Sequence, residues 1–162
     1  MIRIRPTLPG DCWLLLADLR KAETDEFDAL GVNSELCMRM GMLNSDARTV
    51  FIDDEPAAMF GIIPYEDHNV AWAVFTHAIE RHPIAFLRES RRVADSFDCA
   101  IVNYVDARNT KAVKWFKWLG FHVWEPEPYG PHGALFQRFT NRLQHLEGAT
   151  VTVIADGMRE CA

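Results

Sequence analysis

Basic charge is in short supply in this chain: 17 lysines and arginines stand against 23 aspartates and glutamates, for a formal net charge of −6. A protein that grips nucleic acid without sequence preference needs a net basic footprint to release counterions from phosphates, so nucleic acid is not an expected partner. Cysteine is scarce as well. Cys12, Cys37, Cys99 and Cys161 form no C-x-x-C pair, and the first three sit in apolar segments, which makes buried free thiols the simplest account. No stretch nears the roughly 20 apolar residues that span a bilayer, and Met1 to Pro6 lacks an apolar core of signal-peptide length. The expectation is a cytoplasmic protein with no membrane span. H-E-x-x-H, nucleophile-elbow and Walker motifs are missing and the histidines are scattered, so no metal is expected.

What is present fits one globular domain. At 162 residues, 49% of them hydrophobic, the chain can bury a core without metals or disulfides and is not a mostly disordered one. Ile2-Arg3-Ile4-Arg5 alternates apolar and charged, as a strand with one buried face does. Asp11 is placed to cap a helix running to about Lys21, with Trp13, Leu16, Ala17 and Arg20 at helical spacing. The acidic, helix-compatible stretch from Ala22 to Leu30 has two readings, a solvated helix face or a selector of basic substrates. Ser34 is placed to cap a further helix carrying Leu36, Cys37, Met40 and Leu43. Thr49 to Ile52 and Ala57 to Ile63 form a hairpin pair joined by Asp53-Asp54-Glu55-Pro56. Residues 70 to 75 are continuously apolar and read as a central strand, followed by a helix from about Pro83 to Phe97 with proline in its first turn.

The run from Asp98 to Phe121 organises the rest. Residues 100 to 105 are a buried strand, Asn109 is a cap for a helix starting at Thr110, and Ala112, Trp115, Phe116 and Leu119 share one side of that helix. Gly120 supplies the left-handed residue that closes it. The short strand-helix-strand succession predicts a crossover with parallel strands. His122 to Trp124 and Ala134 to Thr140 are two further strands, expected to pair antiparallel, with Pro126 to Gly133 as a loop between them. Asp106, just past a strand end, and His77 are the candidate catalytic groups that the residues themselves offer.

Asn109, Ala112, Trp115, Gly120 and Phe121 match a pattern that resembles the second half of the GNAT superfamily of N-acetyltransferases, and the element order over residues 1 to 140 is similar to the complete GNAT fold. The resemblance implies an α/β (α+β) domain with a mixed sheet of about six to seven strands and about four helices, its central parallel strands splayed. It implies acetyl-CoA as cofactor, with Val74, Thr76, Arg81, Asn109 and Phe116 in contact with it. Two departures stand against a working site. The position usually held by a tyrosine general acid is Phe116, which has no proton to give a thiolate. The loop that usually holds the pyrophosphate is Arg81-His82-Pro83-Ile84-Ala85, and no glycine occurs between Gly61 and Gly120.

The run Arg81-His82-Pro83-Ile84-Ala85-Phe86-Leu87-Arg88-Glu89-Ser90-Arg91-Arg92-Val93 is similar to a family of small GNAT-like proteins of short-tailed bacteriophages, the internal virion protein A family. That resemblance implies a role in virion assembly or host interaction, virion or host proteins as partners, a homo-oligomer as an option, and a location in the host cytoplasm or the virion. Its alternative is an active acetyl-CoA-dependent N-acetyltransferase with non-standard contacts. Residues 141 to 162 lie beyond the matched region, where Thr150 to Ile154 reads as an edge strand or part of a mobile tail.

Overall fold

The computed structural model describes residues 1–66 and 68–143. The expected strand at Thr150 to Ile154 lies outside them, as does Cys161. Eight strands form a single sheet: β1 (Ile2–Pro6), β2 (Arg48–Ile52), β3 (Glu55–Pro64), β4 (Asn69–Phe75), β5 (Ile101–Asp106), β6 (His122–Val123), β7 (Glu127–Tyr129) and β8 (Ala134–Thr140). Their order is β1-β2-β3-β4-β5-β8-β6, with β7 also on β8. Six helices complete the described chain: α1 (Asp11–Leu16), α2 (Lys21–Leu30), α3 (Ser34–Asn44), α4 (Ala78–Arg81), α5 (Pro83–Asp95) and α6 (Thr110–Trp118). No helix among the described residues is long and apolar enough to cross a membrane.

The β2–β3 hairpin turns on Asp53 and Asp54, both at positive φ (48° and 65°). A two-residue turn of that kind follows the right-handed twist of its strands, and aspartate tolerates the left-handed region better than most residues. β4 and β5 are parallel, as expected from the crossover, but pair only at Asn69 with Ile101 and Val70 with Val102. Beyond Val102, β5 pairs with β8 on its other side. The two central strands therefore part after two residues of register, and the Asn103 amide reaches across the split to the Ala71 carbonyl at 2.7 Å. Along β4 the side chains alternate: Trp72 and Val74 join Leu15, Met38 and Met59 under α1 and α3, whereas Phe75 joins Phe86 and Ile79 on the other face. A third cluster under α6 gathers Ile101, Val105, Val113, Phe121 and Phe139.

The amino-terminal helices differ from expectation. The predicted helix through Lys21 stops at Leu16, and the chain resumes as α2 after Arg20. Asp11 is not the cap but the first helical residue, and its side chain makes no cap bond. Its buried carboxylate instead accepts from both terminal nitrogens of Arg5 (2.7 Å each), from the Leu8 N–H (2.8 Å) and from the Thr49 hydroxyl (2.9 Å). Burial works to raise its pKa, but these donors together hold it below the ordinary carboxylate value. Trp13 faces solvent, while Cys12 and Leu15 face the core. The cap of α3 is Asn33, whose side-chain oxygen accepts from the Leu36 N–H at 2.9 Å, and not Ser34. Met38 and Gly41 are the buried residues of α3, and Leu36 and Leu43 are exposed. A Cβ on Gly41 would lie 2.7 Å from the Trp72 indole, so glycine lets this helix lie directly on β4. Part of the expected loop from Pro126 to Gly133 forms β7, which pairs with β8.

Candidate functional site

The parting of β4 and β5 opens a cavity of about 230 Å³ through the sheet, walled by Trp72, Phe75, Phe86, Tyr104, Trp115 and Phe116 among others. Of the residues singled out in the sequence, Val74, Asn109 and Phe116 line it, and Thr76, His77, Arg81 and Asp106 do not. Two strand-to-helix corners flank the opening, one after β4 and one after β5.

The β5–α6 corner is built by side chains. Asp106 is the last residue of β5, and its 2% exposed carboxylate accepts from the backbone N–H of Arg108 at 2.9 Å and from its guanidinium at 3.0 and 3.1 Å. Those bonds hold the carboxylate in its own loop, away from the cavity. Asn109 caps α6 as predicted, accepting from the Ala112 N–H at 3.2 Å, and Gly120 has φ +89° after the last turn. Phe116 stacks on Phe139 with ring centroids 3.8 Å apart and tilts against Trp115 at 4.8 Å. A ring in that stack is a packing element.

The β4–α5 corner bonds its own backbone from Thr76 to His82. From Thr76 to His82 every N–H donates within the protein: Thr76 to the Ala57 carbonyl, His77 to Asp18, Ala78 to the Thr76 hydroxyl, Ile79 to Thr76, Glu80 and Arg81 to His77, and His82 to Ala78. The Thr76 hydroxyl in turn donates to the Pro56 carbonyl at 2.6 Å. Pro83 has no N–H to offer, and Ile84, in the first turn of α5, is 81% exposed. Arg81 is engaged by Glu55 at 2.8 Å and Asp18 at 3.0 Å, which raise its pKa further. His77 meets Glu80 at 3.0 Å, and His82 lies 3.6 Å from Asp53. The corner thus pairs each of its bases with a carboxylate.

Sequence reasoning missed two residues of the cavity wall, Glu23 and Glu26. Glu23 is buried beside Arg20, which donates through Nε at 2.9 Å. Glu26 accepts from the Asp106 N–H at 3.1 Å, and burial, reinforced by the nearby charges of Glu23 and Asp106, pushes its carboxyl up to about 7. The signal was available: Glu23 and Glu26 occupy the same helical stripe as Phe27 and Leu30, so an amphipathic α2 turns them inward. The solvated-face reading of this segment fails for these two carboxylates, although it holds for Thr24 and Asp28, which are exposed. Cys37, also on the wall, is held by burial at about 12 and stays a thiol.

No known protein-family profile matches the sequence, and no curated protein matches it either. Solved structures do match by shape. An aminoglycoside N(6')acetyltransferase from Legionella pneumophila superposes with a TM-score of 0.64 at 9% identity, covering 86% of this chain and 90% of that one. A GNAT-family acetyltransferase from Streptococcus agalactiae gives 0.62 at 11% identity, covering 86% and 94%. The ribosomal-protein-S18-alanine N-acetyltransferase of Escherichia coli gives 0.57 at 12% identity, covering 94% and 100%. With its mixed sheet, parted central strands and crossover helix, the chain has the GNAT N-acetyltransferase fold.

Proposed function

We propose that this chain uses the GNAT scaffold as a binding protein, in bacteriophage virion assembly or host interaction, and not as an efficient acetyl-CoA-dependent transferase. The observation that carries the proposal is the closed β4–α5 corner: each N–H from Thr76 to His82 already has an acceptor in the protein. A pyrophosphate is held at such a corner by unsatisfied N–H groups and the positive end of a helix. To bind one on the N–H groups of Thr76 to His82 the chain would have to break internal bonds and face the carboxylates of Asp18, Glu55 and Glu80. Phe116 adds to the case, because its ring is stacked on Phe139 and carries no proton for a leaving thiolate. The likeness of the Arg81 to Val93 run to the phage virion family supplies the assembly role and the virion or host proteins as partners.

One observation favours the alternative of a working enzyme. Glu26 lines the cavity with its carboxyl near 7, the range in which a general base is most effective. Calorimetric titration with acetyl-CoA, followed by a transfer assay over a panel of amines, separates the two readings. The proposal expects no saturable heat at millimolar acetyl-CoA and no transfer. Saturable binding with turnover that is lost in Glu26→Gln would establish the enzyme instead.

A further inference from the structure

Charge is distributed unevenly over this acidic protein. The helices α5 and α6 carry six of its 17 basic residues and only two of its 23 acidic ones. The two helices lie side by side and run the same way: the Phe86 and Trp115 rings are 5.3 Å apart, the Trp115 indole donates to the Ser90 hydroxyl at 3.0 Å, and Arg91 lies over Trp118 at 4.4 Å. Arg91 also donates to the Leu119 carbonyl at 3.1 Å and to that of Trp118, which ties the helix ends together. On α5, Ile84, Leu87 and Arg88 follow one another at helical spacing on the outer side, and Lys111, Lys114 and Trp118 do the same on α6. The result is one face with an apolar strip between basic side chains. Ile84 is 81% exposed and Trp118 48%. Arg88, Lys114 and Lys117 form no ion pair among the described residues, whereas the bases of the neighbouring corner are paired.

We propose that this α5–α6 face docks an acidic amphipathic helix of a partner protein, its leucine-like side chains on Ile84, Leu87 and Trp118 and its carboxylates on Arg88 and Lys114. The inference rests on the binding-protein reading above and names the chemistry of the partner. The two neighbouring helices, joined through Phe86, Ser90, Arg91, Trp115 and Trp118, present outer residues one turn apart, the spacing by which a third helix is received. Tryptophan and arginine, here Trp118 and Arg88, are among the side chains that most often dominate such contacts. A nucleic acid fits less well, because the net charge of −6 opposes a continuous polyanion and the exposed aliphatic side chains have no partner on a phosphate backbone.

The test uses the full chain and a fluorescent helical peptide of glutamate, alanine and leucine, with leucines spaced one turn apart. Anisotropy should show saturable binding that weakens at least about tenfold in Lys114→Glu, in Trp118→Ala and on raising salt from low to about 0.5 M. The same peptide with its leucines changed to alanine should also bind at least about tenfold more weakly. These side chains are exposed, and unchanged circular dichroism establishes that the variants fold. Absence of binding at millimolar peptide, or binding indifferent to Lys114→Glu, overturns the proposal. Tighter binding of a single-stranded oligonucleotide or of vesicles rich in anionic lipid overturns it too. Acetyl-CoA binding, measured separately, would contradict the earlier reading without deciding this one.

Discussion

The two strand-to-helix corners at the mouth of the cavity sit on equivalent parallel strands and solve the same local problem in opposite ways. After β5, side chains do the work: Asp106 folds back on Arg108 and Asn109 caps α6. After β4 the backbone satisfies itself through a short extra helix, α4, and leaves no N–H between Thr76 and His82 without an acceptor. The difference separates what specifies a fold from what holds a ligand. Cap, glycine stop and buried strand are kept at the corner after β5, whereas the corner after β4 bonds its N–H groups from Thr76 to His82 within the protein, which is what the proposed function rests on.

Substitutions at the first corner and its neighbours test that division, and the largest effect is expected at Asp106. Asp106→Ala removes a buried acceptor that serves the Arg108 backbone and guanidinium, at a cost of about 3 kcal/mol in chemical denaturation. A loss under about 1 kcal/mol would mean that the corner does not depend on its side chains. Glu26→Gln should act in the opposite direction. Its folded pKa near 7 lies above the unfolded value, so between about 4.5 and 7 the native state holds the extra proton and Glu26 costs stability as the pH rises. The variant should therefore gain about 2 kcal/mol at pH 8 and little at pH 4.5. Equal effects at both pH values would contradict the raised pKa.

A smaller change is expected at Phe116. Phe116→Tyr places a hydroxyl in an aromatic stack and should destabilise by about 1 to 2 kcal/mol, with no acetyl transfer before or after the change. Transfer that appears with the phenol would show that the ring position still addresses a thioester. Asn109→Ala, the smallest, should cost about 1 kcal/mol for the lost cap. A change near zero would assign the asparagine to something other than the helix start.

Legibility followed the range of the interactions. The central strands, the parallel crossover, the Asn109 cap and the Gly120 stop are written in local period and turn chemistry, and all appear as expected. Asp11 differs from its expected role as a cap because its partners lie behind it and across the sheet: Leu8 is three residues back, Arg5 six, and Thr49 lies 38 residues on. The inward turn of Glu26 is legible in the helical stripe it shares with Phe27 and Leu30, but its donor is not, being the N–H of Asp106, 80 residues away. The lack of glycine at the β4–α5 corner was plain in the sequence. The way the corner closes was not, since the acceptors for Thr76 and His77 are Ala57 on β3 and Asp18 between α1 and α2.

Amide-resolved NMR with coenzyme A tests the closed corner most directly. The resonances of Thr76 to His82 should stay in place at millimolar ligand, and the buried N–H groups of Thr76 and Ala78 should be protected from hydrogen exchange. Saturable shifts confined to those amides, with the exchange of Thr76 and Ala78 slowed only when ligand is present, would show that the corner opens to receive a pyrophosphate and would contradict the account.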